Sequence, residues 1–320
     1  VVDVMSVLGH LRDAYSRLVD LLQPVSHPND AEEVEVFLAD PKRRESFYNL
    51  LCTFGRTLNV VLNVEPAFDA LAKSEREKYQ SAFVFFSKVR RSVKIRYCDA
   101  IDNREYEPLM QNLLDTHLSV AGLKQITSPV DILNKDDFER ELEELGSLRA
   151  KADAINSKLT KSISEKYQEN PAYYDSFSQR IRAALDQYKE RVISESEYLS
   201  KMREIMEDYH TGKSTVTYPK AIQEDVHAQA FYGVLSAVFS SAPEAEVSLD
   251  FAAELSLEIK NIIAAHSQVD WTNNQTIHDR IAQDIDDLFY RYEKEQGLKL
   301  SFDTIDKVIE NVKTVALRRF

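Results

Sequence analysis

The sequence predicts an all-α protein, an elongated multi-helix bundle with two helical subdomains. Three observations predict it. Glycine is scarce, with 7 in 320 residues, where an average chain carries about 7%; sandwiches, propellers and glycine-loop nucleotide folds all draw on turn glycines. Apolar residues recur at i, i+3/i+4 in nearly every segment. The breaks between segments carry helix caps and prolines. An apolar share of 43%, with 10% aromatic, supplies a core and argues against disorder.

The first helix is expected over residues 3–22, on Leu8, Leu11, Tyr15 and Leu18, and Pro24 and Pro28 end it. Asn29 or Asp30 caps a short acidic helix through Leu38. Asp40 before Pro41 starts a third, because proline suits the first helical position. It carries Phe47, Leu51, Phe54 and Leu58. Gly55 in its middle costs about 1 kcal/mol against alanine, which a close helix crossing would explain. Ser74 opens a long helix on Tyr79, Phe83, Phe86, Val89 and Val93, and Pro108 opens the next.

A boundary is expected over residues 122–136, at Gly122, Ser128, Pro129 and Asn134. One charged helix is then expected from 136 to about 168, with a thin stripe through Phe138, Leu142, Leu145 and Leu148, a coiled-coil arm or hairpin wall. Asn170-Pro171 closes it. Helices follow over 176–190 and from the capping box Ser194–Glu197. His210–Pro219 reads as a polar linker. Further helices are expected over 220–240, up to Pro243, and over Leu249–His266; from a Thr272/Gln275 capping box to Gly297; and from Ser301 to the end. The chain thus divides into 1–125, a charged arm or hairpin at 126–218, and 219–320. No strict repeat indicates a solenoid array.

Two cysteines, Cys52 and Cys98, make neither a disulfide framework nor a zinc site, and a reducing, cytoplasmic setting follows. No apolar run reaches the ~18 residues of a membrane helix, and no signal-peptide pattern opens the chain. The start at Val1 suggests a piece of a larger protein. A net charge of −13 argues against general nucleic-acid coating.

Few residues suggest chemistry. Gly212-Lys213-Ser214-Thr215 resembles the end of a P-loop, but the first glycine would fall at Glu207, and a helix, not a strand, precedes it. His278-Asp279, with His227 and Asp284 or Asp286, offers the residue types of a helical HD-type metal phosphohydrolase; a solvated helix face is the simpler reading. No HExxH pattern or nucleophile elbow occurs. Five cations without an intervening acid, Lys88, Arg90, Arg91, Lys94 and Arg96, stand out in an acidic chain. They suggest a basic face for phosphate or an acidic partner, or a solvated face paired with the chain's own carboxylates. The closing Arg318-Arg319 suits the helix dipole.

Val269-Asp270-Trp271-Thr272-Asn273, Ile281-Ala282-Gln283-Asp284-Ile285-Asp286-Asp287-Leu288 and Ile305–Phe320 together resemble the extreme C-terminus of type I restriction enzyme R subunits. Phe54-Gly55-Arg56-Thr57-Leu58 and Glu65-Pro66-Ala67-Phe68 resemble the helical region that follows their second motor. The resemblance implies a parent with a nuclease and two RecA-like motors, using ATP and Mg2+ to translocate and cleave duplex DNA. It implies docking on methyltransferase (M) and specificity (S) subunits. The nuclease, Walker A and helicase signatures are missing from this sequence. The piece is therefore expected to hold no catalytic residue, cofactor or metal of its own, and no membrane contact. Residues 1–125 are expected to pack on the motors and 219–320 to dock. The candidate docking residues are Trp271, Ile281, Ile285, Leu288, Arg318 and Arg319.

Overall fold

A computed structural model describes residues 3–99, 107–118, 130–242, 247–267 and 271–320. Those residues form fourteen α-helices and no strand. They divide into two compact units, one of residues 1–159 with 194–200, the other of 160–193 with 201–320. That division differs from the three regions expected, because residues 126–218 are shared between the units.

In unit 1, α1 (Val4–Leu21) starts on the Asp3 carboxylate, and α2 (Ala31–Phe37) on Asp30, which accepts the Glu32 and Glu33 amides. Asp40 caps α3 (Pro41–Asn63), with Pro41 at its first position. A short α4 (Glu65–Ala70), unforeseen in the sequence, leads to α5 (Lys73–Arg96). Then come α6 (Glu107–His117), α7 (Lys135–Glu143) and α8 (Leu148–Lys166), of which residues 148–159 belong to unit 1. Leu11 and Leu18 of α1 and Phe47, Leu51, Phe54 and Leu58 of α3 are wholly buried in one apolar core with Phe83. Gly55 admits the Phe83 ring there, since a Cβ would stand 2.8 Å from its edge.

The long charged helix expected at 136–168 is two helices. Leu145 turns inward, and the Ser147 hydroxyl accepts the Ala150 amide at 2.9 Å while donating to Glu32 at 2.7 Å. A cap with a partner 115 residues away outweighs local propensity.

In unit 2, Asn170 caps α9 (Pro171–Lys189). Ser194 and Glu197, which belong to unit 1, form the foreseen box at the start of α10 (Glu195–Thr211), whose residues from 201 on belong to unit 2. Asp225 caps α11 (Val226–Ser241), and Ser248 caps α12 (Leu249–His266). The expected cap at Thr272 is not used. Trp271–Asn273 is a 3-10 turn that buries the indole, and Asn274 caps α13 (Gln275–Gln296). Gly297 (φ 71°) ends α13, and Ser301 starts α14 (Phe302–Arg319). Phe231, Leu235, Ile259, Ile263, Phe289 and Val312 form the core. Gly233 of α11 meets Ala172 of α9 so closely that a Cβ would stand 2.7 Å from the alanine methyl. The boundary residues 122–129, Pro243 and the Val269-Asp270 pair lie outside the described residues.

Candidate interaction surfaces

The basic run sits on the C-terminal half of α5, a stretch surrounded by other helices of unit 1. Arg90 and Arg96 are 0% exposed and Lys94 2%, so three of the five cations form no surface. This corrects the expectation of an exposed basic face, whereas the pairing with the chain's own carboxylates holds, in the interior of unit 1. Arg90 reaches Glu107 Oε1 at 2.5 Å and Lys94 reaches the same oxygen at 3.2 Å. Both cations also lie over the Tyr48 ring. The Tyr48 hydroxyl donates to Asp99, which also takes the Arg44 Nε–H at 2.7 Å. Arg96 spans Glu32 at 2.9 Å, Glu35 at 3.0 Å and Asp153 at 2.8 Å. Ionised groups leave water only when paired and hydrogen-bonded, so the acids of α2, α6 and α8 are what let α5 run through the interior.

Burial leaves its mark on the titrations. It pushes the Glu35 and Asp153 carboxyls above the usual range, against the opposing pull of Arg96. Burial, helped by the Arg90 charge, pulls the Lys94 ammonium down. Arg91 is nearer the surface and holds Glu144 through two bonds of 2.5 and 2.7 Å. Lys88 is exposed and makes no ion pair among the described residues. It is the one member of the run left facing solvent without a carboxylate.

The proposed docking residues also turn inward. Ile281, Ile285 and Leu288 are core residues of unit 2, and Trp271 packs its edge against His278 at 5.8 Å between ring centres. Arg319 donates to the Glu169 carbonyl at 3.0 Å, and burial lowers its pKa. Arg318 alone of the six is exposed. The outer face of α13 and α14 presents other residues, among them Asp286, Asp287 and Glu310.

The metal-hydrolase residues do not converge. The His227 ring lies 4.6 Å from that of Phe320, Asp284 binds His266 at 2.6 Å, and Asp279 accepts from Gln275. Among the described residues, no three His, Cys, Asp or Glu side chains stand close enough to share a metal ion. Gly212, at φ 72°, follows the last turn of α10, and the Lys213 amide folds back to the Asp208 carbonyl at 2.8 Å. This is how a left-handed glycine ends a helix. No described helix is long and apolar enough to cross a membrane. Both cysteines are buried and free.

Sequence reasoning missed the acids. Glu32, Glu35, Asp99, Glu107 and Asp153 were unremarkable in an acidic chain, and the Arg96 partners lie 57 to 64 residues from it. The residue signal available was the mismatch between a cation-rich helix and its uninterrupted apolar stripe, which leaves the cations little room at a surface.

The family model for the C-terminal part of type I restriction enzyme HindI endonuclease subunit-like proteins matches residues 52–316. The match covers most of the chain and runs through both units. No curated protein and no solved structure matches. The chain belongs to this family and is a C-terminal portion of a type I restriction R subunit.

Proposed function

We propose that this portion is the assembly region of its R subunit and carries no catalytic group. Unit 1 braces the motors, and the last two helices dock on a core of M and S subunits in the cytoplasm. The family match over residues 52–316 carries this reading. Its second support is the fate of the charged residues: the clusters that would draw attention as chemistry are spent on internal packing. ATP, Mg2+ and the cleavage of duplex DNA then belong to the motor and nuclease parts of the parent. Contact with DNA here is at most marginal, through isolated exposed cations such as Lys88 and Arg318.

Removing residues 272–320 is a poor test, because α13 and α14 supply much of the core of unit 2. A surface change is the cleaner one. Reversing Asp286, Asp287 and Glu310 to lysine in the full R subunit should weaken binding to the M and S core roughly tenfold, by like-charge and lost-charge effects at an interface. DNA-stimulated ATPase should persist. Unchanged binding would remove the last two helices from the interface.

A further inference from the structure

The last turn of α14 closes on residues distant in sequence. Arg319 donates to the carbonyl of Glu169, 150 residues away, at 3.0 Å. The Phe320 ring stacks on Phe231 at 6.2 Å between centres and lies 4.6 Å from the His227 imidazole. His227 and Phe231 are one turn apart on α11. Arg319 and Phe320 thus tie α14 to the turn ahead of α9 and to the start of α11, all within unit 2.

The fit leaves polar atoms unanswered. Among the described residues Arg319 makes no ion pair, and its Nε is shut away from solvent without a hydrogen bond. The buried guanidiniums of Arg44, Arg90 and Arg96 each hold a carboxylate. His227 Nδ1 is also sealed from solvent and bare. A neutral imidazole tolerates this, because one of its ring nitrogens carries no proton; an imidazolium places an N–H on both. The added N–H would meet no acceptor. The charged groups around His227 do not answer it either. Arg319 of α14 and Lys260 of α12 are both cations. The carboxylate is that of Asp225, and it is committed. Its Oδ1 takes the His227 and Ala228 amides at 3.2 and 2.9 Å, and its Oδ2 takes Lys260 at 2.6 Å. Burial and the Arg319 charge accordingly hold the imidazole below its ordinary range.

We propose that the last turn of α14 is a latch on unit 2, held shut by Phe320 and Arg319 while His227 is neutral and released when His227 takes up a proton. Protonation sets a second cation beside Arg319 and under an apolar ring, and the turn swings out to give both cations to water. Opening lets Arg319 join the exposed Arg318, so the pair of cations is presented in the acidic form. The latch is independent of whether α13 and α14 dock.

Hydrogen exchange of the purified full-length R subunit, read on peptides covering residues 313–320 and corrected for the intrinsic rate at each pH, tests the latch. Once open to water, His227 regains its ordinary pKa of 6.5. At about pH 5.5 it is then protonated about ten to one, so protection of the last turn should fall about tenfold from its value at about pH 7.5. A local opening exposes little surface. Exchange of the last turn should therefore hardly respond to dilute urea, whereas exchange in the middle of α12, which needs the core to open, should rise with it. His227→Gln, which cannot charge, should keep the turn protected at both pH values. His227→Lys, charged at both, should exchange at the higher pH as fast as the unsubstituted protein does at the lower. Protection that ignores pH, or that falls equally in His227→Gln, would overturn the latch. So would stronger protection at low pH, the mark of an imidazolium held by the Phe320 ring. A urea dependence matching that of α12 would also overturn it, because unit 2 would then be unfolding as a whole.

Discussion

The two units are built around different kinds of interior. Every buried charged side chain among the described residues lies in unit 1, and the buried polar residues of unit 2 are uncharged: Ser162, Asn170, Ser176, Ser256 and Thr304. Unit 1 threads a cationic helix through its centre and answers it with acids from α2, α6 and α8. Unit 2 packs Phe, Ile, Leu and Val from α11 to α14. Buried ion pairs contribute little net stability against an apolar isostere, but removal of one partner is severe. Unit 1 should therefore be brittle toward charge and unit 2 toward volume.

The largest effect expected is that of Arg96→Ala, which strands Glu32, Glu35 and Asp153 and should cost unit 1 about 3–5 kcal/mol. Denaturant titration followed by hydrogen exchange in each unit would read it. A loss confined to about 1 kcal/mol would mean that the network is hydrated and the contrast false. Ile281→Ala should cost unit 2 about 2–4 kcal/mol through the cavity it leaves, whereas Arg318→Ala on the neighbouring surface should stay within about 0.5 kcal/mol. Equal costs would contradict the inward placement of Ile281. Gly55→Ala and Gly233→Ala test one crossing in each unit and should each cost about 1–3 kcal/mol by overpacking. Thermal melts that match the unsubstituted protein would show that the crossings relax.

The smallest effect is that of pH. Burial holds the Glu35, Glu141 and Asp153 carboxyls of unit 1 above their ordinary values. When ionised they penalise the folded state, and the penalty is relieved as pH falls through the raised values. In unit 2, burial, aided by Arg319, holds the His227 imidazole below its ordinary 6.5. The unfolded chain takes up that proton first, so stability is lost as pH falls below about 6.5. Lowering the pH from about 7 to about 5.5 should speed exchange in unit 2 relative to unit 1, and the reverse order would break the comparison.

Most of the fold was legible because helices announce themselves locally. Asp30, Asp40, Ser194 and Ser301 act as caps where the sequence placed them, and the Leu11, Leu18 and Phe47 stripe is the core it predicted. The break at 144–147 was not legible, because Glu32 supplies the Ser147 contact. Most of the candidate residues are buried, the apolar and the cationic ones for different reasons. Ile281, Ile285 and Leu288 belong to an apolar stripe, and a stripe that makes the core is not free to dock. A run of cations reads as a surface until its acids are located, and those acids are distant in sequence. Lys88 and Arg318, at the edges of their sets, are the exposed residues that remain.

The central claim is that this region assembles the subunit onto its partners. Size-exclusion chromatography with light scattering, on this chain mixed with its purified M and S core at low and moderate salt, tests it most directly. The account predicts co-elution at low salt, weakened at moderate salt because exposed charges are screened, and weakened again by reversing Asp286, Asp287 and Glu310. Separate elution at both salt concentrations would contradict it.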